Sequence, residues 1–309
     1  MHLIRHLPAI AECPSAVAIG NFDGLHLGHA AVIRAMRGVA LAQGLVPSVL
    51  TFEPHPRRFF AKATPSFRLA RLSEKLAGLR AMEVEQVAMP RFDAGFAAMK
   101  AEDFLNVVLA KQLGAKAVVT GENFAFGHQR QGDSAMLKRW GSLHGVEIIT
   151  VPPVMVGDEI CSSSAIRALV SAGKVAEATA LLGHDYTLSG RVVHGEGRGK
   201  LLGFPTANIA LTPDLLLPAH GVYAVRVAVN NEVFDGVANL GIRPTVAVDK
   251  YVSFEVYIFD TLQDFYGKKL TVTLVHNLRS EMKFNGVEAL KAQIGKDCDA
   301  ARNILRERA

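Results

Sequence analysis

The chain has 309 residues, 50% hydrophobic and 20% charged, with a formal net charge of +5. That composition is globular and long enough for two domains. It excludes a disordered chain and a collagen-like repeat. Its three cysteines, Cys13, Cys161 and Cys298, lie far apart in no metal-binding cluster, which excludes a disulfide scaffold and a structural zinc site.

The 34 Lys and Arg against 29 Asp and Glu form no strong basic cluster, so phosphates suit the chain and no nucleic-acid partner is expected. Apolar stretches are strand-sized, well short of the ~20 residues of a spanning helix. Residues 1–5 lack the apolar core of a signal peptide. A cytoplasmic chain with no membrane partner is therefore expected.

From residue 16 to 156, short apolar runs alternate with helical patterns. Residues 16–19 read as a strand, followed by a Gly-rich loop and a helix over about 30–43. Residues 46–52 read as a second strand. Ser73 is placed to cap a helix whose apolar face carries Leu76 and Leu79. A strand over 84–89, a helix over 102–113, a strand over 117–120, a helix over 133–144 and a strand over 146–151 follow. Such alternation implies a parallel sheet covered on both faces, with ligands at the carboxyl ends of its strands.

Residues 164–183 look helical, in two pieces separated by Gly173. The rhythm then changes. Residues 188–193, 222–229, 233–237, 252–259 and 270–276 read as strands, with Asn230-Asn231 as a hairpin turn. Five or six close strands imply an antiparallel barrel, and 287–308 reads as one closing helix. The expected organisation is an α/β domain over 1–183 and a barrel domain over 184–309.

The first motif is Gly20-Asn21-Phe22-Asp23-Gly24-Leu25-His26-Leu27-Gly28-His29, between a strand and a helix. Its glycines allow close backbone approach, the helix N-terminus favours phosphate, and His26 and His29 could donate to phosphate oxygens in a phosphoryl transition state. A Gly-rich turn with two capping histidines is the plainer alternative. Thr51-Phe52-Glu53-Pro54-His55-Pro56 follows the second strand, where His55 presents a ring or merely ends the strand. Gly121-Glu122-Asn123-Phe124-Ala125-Phe126-Gly127 follows the fourth, with Phe124 facing a ligand or the core. Ser162-Ser163-Ser164-Ala165-Ile166-Arg167 opens a helix.

In the second half, Gly195-Glu196-Gly197-Arg198-Gly199-Lys200 fails as a P-loop, because only three residues separate the first Gly from the Gly-Lys pair and Leu201 follows. It still offers unhindered amides to phosphates. Leu202-Gly203-Phe204-Pro205-Thr206-Ala207-Asn208 comes next. Thr206 and Asn208 supply hard, neutral oxygens suited to Mg²⁺. Glu255 lies in an apolar strand, where a carboxylate is costly without a task or partner. Its alternation with Phe254 and Val256 equally fits an outward-facing residue.

These blocks, in this order over nearly the whole chain, resemble the bacterial bifunctional riboflavin kinase/FMN adenylyltransferases, or FAD synthetases. The decamer carries the HxGH signature of the nucleotidyltransferase superfamily. Gly190 to Ile209, Gly236 to Thr245, Phe254 to Tyr257 and Phe265 to Lys268 are similar to the riboflavin kinase pattern. Departures fall at Asn123, Ala125, Ser164, Val246 and Tyr257, where Asp, Arg, Thr, Phe and His are usual.

The resemblance implies a nucleotidyltransferase-type parallel-sheet domain before a riboflavin kinase barrel, with ATP, riboflavin, FMN and FAD as ligands and Mg²⁺ as metal. It implies His26, His29 and Arg167 as stabilisers of adenylyl transfer. Gly20, Asn21, Phe22, Asp23, Asn123 and Ser164 would bind nucleotide or flavin there. In the barrel it implies Glu255 as base, Thr206 and Asn208 on the metal, and Gly195, Gly197, Gly199, Lys200 and Asn208 at the nucleotide.

Overall fold

A computed structural model describes residues 1–61, 66–195, 197–243 and 251–308. The chain divides into two compact units, Met1–Ser163 and Ser164–Ala309.

The first unit contains β1 (His2–Ile4), β2 (Ser15–Ile19), α1 (Leu27–Gln43), β3 (Val46–Leu50), α2 (Pro56–Phe60), α3 (Leu72–Ala81), β4 (Gln86–Ala88), α4 (Ala94–Ala97), α5 (Ala101–Asp103), β5 (Ala115–Gly121), β6 (Ala125–Phe126), β7 (Gly132–Asp133), α6 (Ser134–His144), β8 (Glu147–Val151), β9 (Met155–Val156) and β10 (Glu159–Ile160). A parallel sheet runs in the order β1-β4-β3-β2-β5-β8. β2 is buried along its whole length. Val17 and Ile19 pack with Phe104, Leu109 and Trp140, whereas Ala16 and Ala18 pack with Ile33, Met36 and Leu79. The two-residue alternation thus fills a core on each face, which is why the strand reads as continuously apolar.

Several local expectations shift for identifiable reasons. α1 starts at Leu27, ahead of the expected residue 30, because the His26 side chain accepts from the His29 amide and caps it. It ends at Gly44, whose left-handed backbone (φ 63°) returns its amide to the Ala40 carbonyl. α3 starts at Leu72, ahead of Ser73, because the Glu74 carboxylate accepts from the Arg71 amide at 2.8 Å. The expected helix over 102–113 is α5 continued by a π-helical stretch, Phe104–Gln112. The strand expected over 84–89 pairs only across Gln86–Ala88. β1 and the β9–β10 hairpin were not expected; both are too short to show a period.

The second unit holds α7 (Ser163–Ser171), begun at its border, then α8 (Val175–Leu182), β11 (Thr187–Val193), α9 (Arg198–Leu201), β12 (Thr206–Ala210), β13 (Gly221–Val229), β14 (Glu232–Arg243), β15 (Tyr251–Ile258), β16 (Lys269–Ser280) and α10 (Val287–Glu307). Strands β11-β12-β15-β14-β13-β16 close an antiparallel barrel. Asn230 and Asn231 turn the β13–β14 hairpin with φ 47° and 68°, as a two-residue primed turn requires. α10 lays Cys298, Ala301 and Leu305 on Val222, Ala224 and Val237. That contact buries the outer face of β13 as well as its inner one. Packing divides the chain earlier than the expected 183/184 boundary because α8 lies on β16.

Candidate active sites

In the first unit the chain leaves β2 for β3 on one side and later returns from β4 to β5 on the other, so the order reverses at β2. Ligands in such sheets bind outside the carboxyl ends at that reversal. The loops after β2, β3 and β5 carry the three motif blocks.

The loop after β2 is held in uncommon backbone conformations, with φ 48° at Phe22 and 42° at Leu25. Phe22, Asp23 and His26 are buried and Asn21 is exposed. Asp23, expected at the nucleotide, places Oδ1 3.0 Å and Oδ2 3.3 Å from the Leu69 amide, so its carboxylate clamps the loop onto the segment before α3. The His26 and His29 rings stack with centroids 3.6 Å apart. A Cβ on Gly28 would lie 3.0 Å from the His26 ring and 3.2 Å from the Cys161 carbonyl, which explains the glycine between them. Both histidines stand at the N-terminus of a 17-residue helix, where free amides and the helix dipole attract phosphate. Burial pushes the Cys161 thiol up, against the opposing bond from the Gly28 amide.

His55 caps α2, its Nδ1 accepting from the Arg57 amide at 3.1 Å, with its ring against the edge of Phe67. Phe124 stacks on Phe126, which packs on Phe104, so it extends the core. It also lines a shallow cavity of about 410 Å³ with the exposed Asn123 and with Arg130. Ser163 donates to the Asp23 carbonyl at 3.1 Å. Next to it on α7, Ser164 is exposed and Arg167 half-buried, and both belong to the second unit.

One residue went unnoticed in the sequence. Lys75, only 5% exposed, donates to the Asn21 carbonyl at 3.1 Å and to Thr51 Oγ1 at 3.3 Å. Burial lowers its pKa, while Glu53 and Asp23 act in the opposite sense. The available signal was spacing: Leu72, Lys75 and Leu79 fall on one helical stripe.

In the second unit Glu255 pairs across the barrel wall with Asn208 on β12 and Asn239 on β14. Thr206 Oγ1 donates to its Oε2 at 3.2 Å and Ser253 Oγ to its Oε1 at 3.0 Å. Phe254 and Val256 are buried on the opposite face. Glu255 therefore does face outward from the barrel. It opens into a cavity of about 330 Å³ against α10, lined by Phe204, Tyr257, Phe284 and Ile294. Arg279 and Asp297 form a bidentate ion pair at the same cavity, Nη2 to Oδ2 at 2.8 Å.

A second cavity, about 530 Å³, lies beside Gly195, Gly197 and Asn208, with His194 and Tyr266 stacked 3.8 Å apart in its wall. Thr206 lines both cavities. A Cβ on Gly195 would sit 2.1 Å from Asn208 Nδ2, and one on Gly199 would sit 2.4 Å from the Phe204 carbonyl. The loop thus needs both glycines to pass so close. The Lys200 side chain, Glu196, and Pro244, Thr245 and Val246 lie outside the described residues. Among the described residues no cluster of three His, Cys, Asp or Glu side chains could hold a metal unaided. Thr206 and Asn208, neutral oxygen donors on one strand face beside a carboxylate, fit Mg²⁺ shared with phosphates.

Two family models match the chain. One, described as FAD synthetase, covers residues 9–165, and the other, riboflavin kinase, covers 182–305. The chain is 39% identical over 309 residues to the Escherichia coli K12 bifunctional riboflavin kinase/FMN adenylyltransferase, spanning 99% of this chain and 98% of that one. It is 39% identical over 288 residues to the enzyme of the same name from Haemophilus influenzae (93% of each chain). For that from Listeria monocytogenes the identity is 36% over 282 residues (91% and 89%). Among solved structures, one described as a macrolide-efflux protein from Streptococcus pneumoniae superposes with TM-score 0.88 at 31% identity, covering 97% of this chain and 98% of that one. No helix of the described residues here is long and apolar enough to cross a membrane.

Proposed function

The chain belongs to the bifunctional riboflavin kinase/FMN adenylyltransferase family, and from that premise we propose how its two sites divide the work. The barrel half converts riboflavin and ATP to FMN and ADP. The N-terminal half converts FMN and ATP to FAD and pyrophosphate. The observation that carries the residue assignment is the Thr206–Glu255 hydrogen bond at the junction of two cavities.

The apolar cavity against α10 suits the isoalloxazine ring, with Phe204, Tyr257 and Phe284 as its walls. The cavity beside Gly195 and Gly197 suits ATP, whose phosphates meet the loop amides. Thr206 and Asn208 hold Mg²⁺, which neutralises phosphate charge when bound. Glu255 takes the proton of the ribityl 5′-hydroxyl as that oxygen attacks the γ-phosphorus and ADP departs. The hydroxyls of Ser253 and Thr206 hold its carboxylate in one orientation.

In adenylyl transfer the FMN phosphate attacks the α-phosphorus in line and pyrophosphate departs. His26, His29 and the α1 N-terminus meet the developing negative charge, with Arg167 as a further cation. Asn21 and Ser164 position the nucleotide, and Asn123 contacts the nucleotide or the flavin. We assign this half to residues 1–183 and the kinase half to 184–309; residues 166–181 lie between the spans that the two family models match, 9–165 and 182–305. A cytoplasmic setting fits Cys13, Cys161 and Cys298, which form no disulfide among the described residues.

The test feeds riboflavin or FMN separately, with ATP and Mg²⁺, to two variants. His29→Ala should lose FAD formation by ~10²–10³ while keeping FMN formation. Glu255→Gln should show the reverse pattern. Equal loss of both activities in either variant would refute the division of labour.

A further inference from the structure

Buried lysines are rare because desolvating an ammonium is costly, and those that persist have partners that repay the cost. Lys75 is buried on α3 at the carboxyl ends of β2 and β3. Its ammonium donates to the Asn21 carbonyl at 3.1 Å and to Thr51 Oγ1 at 3.3 Å, and Thr51 Oγ1 itself donates to that carbonyl at 3.1 Å. Three groups from α3, the loop after β2 and the end of β3 therefore close a triangle. Its only exposed member is Asn21, the residue assigned to the nucleotide.

The charged groups facing the ammonium are Asp23, Glu53 and Arg68. Each is engaged elsewhere. Asp23 accepts the Leu69 amide, and Glu53 and Arg68 form a bidentate pair at 3.1 and 2.5 Å. The ammonium is thus the one positive charge aimed at the Asn21 carbonyl among the groups described around it.

We infer that Lys75 is a positioning residue for adenylyl transfer, fixing the Asn21 peptide so that the loop after β2 is set for the incoming triphosphate. This rests on the adenylyltransferase reading of the N-terminal half. Charge-assisted bonds are roughly twice as strong as neutral ones, so the hold depends on protonation. Burial lowers the Lys75 pKa, so the charge is lost at a lower pH than in an ordinary lysine as the solution turns alkaline. FAD formation should therefore weaken on the alkaline side, with a rising KM for ATP.

The experiment measures KM for ATP and kcat of FAD formation from FMN across alkaline pH in the full chain, alongside FMN formation from riboflavin. Lys75→Met should raise the ATP KM by about tenfold at neutral pH, change kcat less, and remove the alkaline rise. Lys75→Arg keeps a charge that does not titrate in this range. It should stay within about threefold of wild type at neutral pH and also lack the alkaline rise. Riboflavin phosphorylation should be unchanged in both. Should the Met variant fail to fold, the Arg variant decides alone: an unaltered alkaline rise in it assigns that titration to another group and overturns the inference. A wild-type ATP KM in Lys75→Met overturns it equally. A wild-type chain that makes no FAD from FMN removes the underlying reading and this inference together, whereas an active wild type with indifferent variants removes the inference alone.

Discussion

Glu255 gains its chemistry from its neighbours. A carboxylate on an apolar strand is expensive, and here two hydroxyls, from Thr206 and Ser253, each bond one of its oxygens. Replacing it by Gln keeps the shape and accepts at one oxygen, but removes the proton acceptor. General-base catalysis contributes ~10²–10⁴-fold, so FMN formation should fall by that factor, with residual turnover because phosphoryl transfer rests mainly on positioning and charge neutralisation. Wild-type kinase rates in Glu255→Gln would move the base elsewhere. At this scale the sequence was partly legible. The alternation of Phe254, Glu255 and Val256 left an outward carboxylate or a base open; Glu255 does face outward, into the cavity under α10 for which the base role is proposed. Asp23 stood in a motif and Lys75 on a helical stripe, but the contacts that hold them were not legible. Their partners are the Leu69 amide and the Asn21 carbonyl, 46 and 54 residues away, and backbone partners leave no pattern in side-chain sequence.

The elements that carry the sites are set by close approaches. The loop after β11 passes so near β12 that a Cβ on Gly195 would stand 2.1 Å from the Asn208 amide nitrogen. Gly195→Ala must displace either the loop or Asn208, and should raise the kinase KM for ATP by tenfold or more while leaving FAD formation from FMN intact. The order-of-magnitude figure is the loss of about one charge-assisted contact, ~1.4 kcal/mol. An unchanged KM would show that the loop does not bind the nucleotide.

α10 supports the other cavity from outside. Leu305 is 1% exposed in the cluster that joins this helix to β13 and β14. Leu305→Ala should cost about 2–5 kcal/mol of barrel stability, read as a lower denaturation midpoint. A change under about 0.5 kcal/mol would mean that α10 is not integral to the barrel. Long periodic elements such as α1 and α10 were readable from spacing. β12 was not, since three of its five residues form the Thr206–Asn208 motif and the strand is too short to show a period.

Across the whole chain, two unrelated architectures follow one another, a parallel sheet with its loops at the carboxyl ends and a closed antiparallel barrel. Their order was readable because hydrophobic periodicity changes from strand–helix alternation to successive strands, a difference each fold imposes throughout its length. The border was less readable. α7 and α8 continue the helical rhythm of the first half, yet pack with the second. Since the product of the barrel half is the substrate of the other half, both activities should appear in sequence from one preparation. Incubating the purified chain with riboflavin, ATP and Mg²⁺ and separating the flavins chromatographically over time should show FMN rising first and FAD following at its expense. FMN that accumulates with no FAD, or riboflavin left unchanged, would contradict the bifunctional assignment.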